Sequence, residues 1–134
     1  MSEEIHPNTI AQGKAFPWHE LYTPDVTASI EFYTKALGLE TEAMEMGEMG
    51  TYHMLKHGGA AVAGVVDTNQ PHTAGTPPHW AVYMRVESVD ESLAKVEEFG
   101  GKVLAPAMDI PTVGRMALIM DPQGAAIWLF TPQG

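Results

Sequence analysis

The stretch Trp18-His19-Glu20-Leu21-Tyr22-Thr23-Pro24-Asp25-Val26 decides how the chain begins to fold. Trp18 to Tyr22 alternates in polarity and is rich in aromatics, which suits a half-buried strand. Thr23-Pro24-Asp25 then opens a helix, since Thr23 or Asp25 can accept from the free N–H groups of its first turn. Val26, Ile30, Tyr33 and Leu37 follow at i, i+4, i+7 and i+11 as one apolar stripe, and Gly38 stops it. Three shorter segments, about 39–46, 51–56 and 60–66, read as strands divided by Gly47, Gly50 and Gly58-Gly59.

The same order then returns. Residues 67–78 carry three prolines and little that is apolar, and read as a linker. His79 to Val86 suits a strand, and Ser88-Val89-Asp90-Glu91 has the form of a capping box. Val89, Leu93 and Val96 form a second helical stripe ending at Gly100-Gly101. Strand-like segments follow at about 102–107, 115–120 and 125–130, with Asp121-Pro122-Gln123-Gly124 as a hairpin turn. At an offset of 63, Trp18 falls on Ala81 and Asp25 on Ser88. A repeat of this length implies that neither half buries its sheet alone. The expectation is an α+β fold of two βαβββ modules, 16–66 and 79–132, whose curved sheets surround a concave cup. Residues 1–15 read as an N-terminal arm.

Composition narrows the function. The 134 residues hold seven Lys plus Arg against seventeen Asp plus Glu, a net charge of −10. Such a surface repels phosphate backbones and anionic bilayers, so no nucleic-acid or membrane partner is expected. With no Cys there is no disulfide, zinc-thiolate site or thiol nucleophile. Apolar runs such as Ala60 to Val66 are too short to cross a bilayer, and the acidic start Met1-Ser2-Glu3-Glu4 points to a cytoplasmic protein.

Phe32-Tyr33-x-x-x-Leu37-Gly38-Leu39, Val86-x-x-Val89-Asp90 and Asp121-Pro122-Gln123-Gly124, on paired βαβββ modules, resemble the vicinal oxygen chelate superfamily over about residues 16–132. Trp18-His19-Glu20-Leu21, Pro78-His79-Trp80 and Asp109-Ile110-Pro111 with Gly114-Arg115 further resemble its glyoxalase-like subgroup, often labelled as hydroxylases. The superfamily includes glyoxalase I, extradiol dioxygenases, fosfomycin-resistance enzymes and bleomycin-resistance proteins, so fold alone does not name an activity. Its metal-dependent members hold a divalent ion in the cup with His and Glu side chains. The corresponding positions here are Trp18, Ala63, Ala81 and Trp128, which cannot ligate a metal. The resemblance therefore implies no cofactor, with a relocated divalent-metal site at Glu20, His79 and His53 as the alternative. The family habit also implies a homodimer.

Glu20 shares a strand face with Trp18 and Tyr22, the face that the resemblance turns into the cup. A carboxylate among large apolar groups suits acid or base work; alternatively Glu20 is structural, satisfied by backbone donors or Arg115. His79 shares its face with Ala81 and Tyr83 and is a second catalytic candidate, or else caps its strand. His53 is a candidate ligand-binding residue. Trp18, Tyr22, Tyr83 and Trp128 could stack on a flat or apolar ligand, or simply form core. Arg115 could clamp an anion or be a surface charge. Glu40, Glu42, Glu45 and Glu48 read as a solvated sheet edge. The expected function is metal-independent acid/base chemistry, of isomerase or lyase type, on a small, partly apolar molecule with Glu20. The alternatives are a non-catalytic small-molecule binder of the resistance type and a metal enzyme.

Overall fold

The computed structural model describes residues 15–111 and 113–133. Most of the expected arm, including His6, lies outside the described residues. In chain order the elements are β1 (Trp18–Thr23), α1 (Val26–Leu37), β2 (Glu40–Glu45), β3 (Thr51–His57), β4 (Ala60–Asp67), β5 (His79–Arg85), α2 (Val89–Glu98), β6 (Lys102–Ile110), β7 (Gly114–Met120) and β8 (Ala126–Pro132). The α+β class and the doubled βαβββ order are as expected. Among the described residues no helix is long and apolar enough to cross a membrane.

Contacts divide the chain into two units, Trp18–Ala81 and the described residues of 15–17 together with 82–133. In the first, strands run in the order β2-β3-β4-β1. The β1–β4 pair is parallel, and β2–β3 and β3–β4 are antiparallel. Leu21, Leu55, Ala63 and Val65 bury one sheet face under Val26, Ile30, Tyr33 and Leu39. Leu55 is fully buried, worth ~1.5–3 kcal/mol by transfer. Asp25 caps α1 by accepting from the Ala28 N–H at 3.0 Å. Gly38 ends it in the left-handed region at φ 73°, which a side chain would resist. This turn changes the stripe: Leu37 is 62% exposed, and Leu39 takes the core place expected for it. β2, exposed along its length, is the acidic edge, with Glu42 paired to Lys56.

In the second unit, the order is residues 82–85 of β5, then β8-β7-β6, with β5–β8 parallel and the other pairs antiparallel. Val89, Ala117, Ile119 and Leu129 form its core, with Leu93 and Val96 packed against them as the stripe predicts. Ser88 caps α2 by accepting from the Glu91 N–H at 3.2 Å.

Residues 67–78 are more than a linker. The Thr68 N–H continues the ladder by donating to the Thr23 carbonyl, and the Asn69 amide donates to the Pro24 carbonyl at 2.6 Å. The Thr73 hydroxyl donates to the Asp67 carbonyl at 2.8 Å, and Thr68 and Thr73 are buried. The segment is thus a string of turns tied to the corner where β1 leads into α1.

Candidate active site

Strand alternation puts Trp18, Glu20 and Tyr22 on the sheet face that α1 does not cover, because Leu21 between them enters the helix-covered core. The register adds two neighbours. Glu20 lies opposite Gly64 on β4, which lies opposite Met54 on β3, so Tyr52 shares the same face. The Tyr52 hydroxyl crosses β4 and donates to Glu20 Oε2 at 2.9 Å. Burial, then the Glu20 charge and the bond to it, hold the Tyr52 phenol far above the ordinary tyrosine range. The result is a phenol held on the carboxylate. Tyr52 is absent from the candidates that the sequence offers. Its one signal is Gly64, since a glycine inside a strand often marks the close approach of another group.

Tyr22 is buried beneath His79, with ring centroids 4.8 Å apart and planes 8° from parallel. His79 Nδ1 lies 2.7 Å from the Pro77 carbonyl. A carbonyl only accepts, so in the neutral ring Nδ1 carries the proton and Nε2 is the basic nitrogen. In the second unit Tyr83 and Trp128 pair across β5 and β8, stacked at 5.4 Å and 10°, on the face away from α2. Tyr22 and Tyr83 are themselves buried, which leaves His79 and Trp128 as the more accessible member of each stack.

Three expected placements change. His53 pairs with core-facing Val65 and so lies on the helix-covered face, opposite Glu20; the set Glu20, His79 and His53 is not assembled. Ala63 also faces that core, and Gly64 takes the position beside Glu20. The cause is a bulge: Leu55 pairs with Ala63 but Lys56 with Ala61, so Val62 is extra and side-chain alternation shifts by one. Arg115 donates to Asp90 Oδ1 from Nε and Nη2, at 3.3 and 3.1 Å, and to Asp109 Oδ1 from Nη1 at 3.0 Å. These exposed pairs line a cavity of about 470 Å³ beside the start of α2. With two carboxylates on the guanidinium, Arg115 is an internal tie and not an anion clamp.

The positions that the resemblance gives to a metal, Trp18, Ala63, Ala81 and Trp128, carry no ligand atoms, nor does Gly64 beside Glu20, and no three His, Asp or Glu side chains cluster among the described residues.

A family model for the Glyoxalase/Bleomycin resistance protein/Dioxygenase superfamily matches residues 15–129. Among curated proteins, the chain is 39% identical over 115 residues to CFP32 of Mycobacterium bovis, named as a candidate glyoxylase, covering 86% of this chain and 43% of that one. It is 35% identical over 124 residues to the anthracycline biosynthesis protein DnrV of Streptomyces peucetius, covering 83% and 45%. The chain thus spans less than half the length of these relatives. Among solved structures, methylmalonyl-CoA epimerase of Mycobacterium tuberculosis superposes with a TM-score of 0.61 at 18% identity, covering 90% of this chain and 89% of that one. That likeness speaks to the fold. The doubled βαβββ order and the match over nearly all of its length agree: the chain belongs to the Glyoxalase/Bleomycin resistance protein/Dioxygenase superfamily.

Proposed function

We propose that this protein carries out metal-independent proton transfer on a small, partly apolar molecule, with Glu20 as the acid/base group and His79 as a second one. The observation that carries this reading is the Glu20 carboxylate, held by Tyr52 at 2.9 Å on the helix-free face beside Trp18 and Tyr22. A carboxylate kept in a largely apolar setting by an oriented donor suits removal of a proton next to a carbonyl. In that step the C–H proton passes to the carboxylate, the electron pair moves onto the carbonyl oxygen, and the proton returns to the same or a neighbouring atom. The names of the relatives, a candidate glyoxylase and an anthracycline-biosynthesis protein, support small-molecule chemistry. The donor set at the family's metal positions supports doing it without a metal.

The test is solvent deuterium exchange into a panel of thioesters, hydroxyketones and hemithioacetals, followed by proton NMR with wild type and Glu20→Gln. Loss of exchange by about a hundredfold or more with ligand-induced thermal shift retained assigns Glu20 as the base. Ligand binding without exchange in wild type overturns catalysis and leaves a binding protein. Exchange should also survive EDTA treatment and desalting; its loss, with recovery on adding Mn, Fe, Co, Ni or Zn, overturns metal independence.

A further inference from the structure

We infer that Tyr52 is the positioning residue for Glu20 and that Gly64 is glycine in order to seat it. This rests on the reading of Glu20 as the acid/base group. Tyr52 stands on β3 and Glu20 on β1, so the phenol has to pass over the intervening strand β4. It passes over Gly64, where an added Cβ would collide with the hydroxyl and ring of Tyr52. The backbone of Gly64 is not left-handed, so its conformation would accept any residue. The missing side chain is what the position requires, and it weakens the strand where it occurs. Trp18 stands on the same face, and its indole, which can only donate, acts on the phenol in the opposite sense to burial and to Glu20. A phenol held in its protonated form by burial and by the neighbouring charge acts as a donor throughout the working pH range. It fixes the carboxylate in one orientation and favours its ionised form.

Two substitutions test this by opposite routes. Tyr52→Phe removes the hydroxyl and keeps the ring; Gly64→Ala keeps the hydroxyl and pushes it off Glu20. The first readout is the ¹³Cδ titration of Glu20, assigned by its loss in Glu20→Gln and followed in variants whose fold is confirmed by circular dichroism. In both variants the titration should move to higher pH. The second readout is deuterium exchange, where kcat should fall about tenfold with KM within about twofold, and the acid limb should move upward in pH. An unchanged Glu20 titration in two folded variants overturns the inference. If one variant fails to fold, the other decides. If wild type exchanges no substrate, the reading of Glu20 as a base fails, while the titration still reports separately whether Tyr52 controls the carboxylate.

Discussion

The phenol of Tyr52 is protonated in the fold well beyond the pH at which a free tyrosine ionises, ~10. Its folded value is raised, so its contribution to stability is complete below the unfolded value and declines as pH climbs past it. Urea unfolding followed from pH 8 to 11 should therefore show wild type losing stability above pH ~10, and Tyr52→Phe losing less over the same interval. Equal slopes would mean that the phenol is no more buried than in the unfolded chain. Alternation along β1 makes the Trp18–Glu20–Tyr22 face legible in the sequence. The partner of Glu20 is not, because Tyr52 reaches it only through the registers of two strand pairs. Arg115 shows the same dependence on distant chain. By sequence it is a candidate partner for Glu20, yet its carboxylates come from α2 and the end of β6.

Helices are the most legible elements, since their signals are local. Asp25 and Gly38 stand at the two ends of α1 as expected, and Asp25→Ala should cost about 1 kcal/mol in denaturant unfolding by releasing the Ala28 N–H. Leu37 departs from the expected stripe although it is still the last residue of α1: it is left exposed, and Leu39, on the far side of the Gly38 turn, packs against the core instead. Leu39→Ala should therefore cost ~1–2 kcal/mol, reduced from the range for fully buried leucines, and Leu37→Ala less than ~0.5. A larger loss at Leu37 would contradict the handover to Leu39. Strand facing is harder to read because a single extra residue reverses it. Val62 does so in β4 and moves the site-facing position from Ala63 to Gly64, with nothing in Ala60-Ala61-Val62-Ala63 to announce it.

Across the whole chain the excess of acid sets the response to solvent. At −10 the molecule repels itself. Salt screens this repulsion more effectively than it weakens the exposed or partly exposed ion pairs of Lys35, Lys56 and Arg115. The melting temperature at pH 7.5 should rise as NaCl increases from about 10 to 300 mM; a fall would give the ion pairs the larger share. Homodimer formation, implied by the family resemblance, is a separate proposal. Sedimentation velocity should show a species of twice the 14.5 kDa chain mass, and a monomer at every concentration would refute it. The turns at 67–78 bear on how the protein can be handled. A proline-rich stretch between two repeats is where an engineer would first splice in an epitope tag or open new chain ends, but here that would sever the bonds of Thr68, Asn69 and Thr73. The exposed tip at Gly58-Gly59 is the better place for a cut or an insertion, for it carries neither a buried side chain nor the bond between Tyr52 and Glu20.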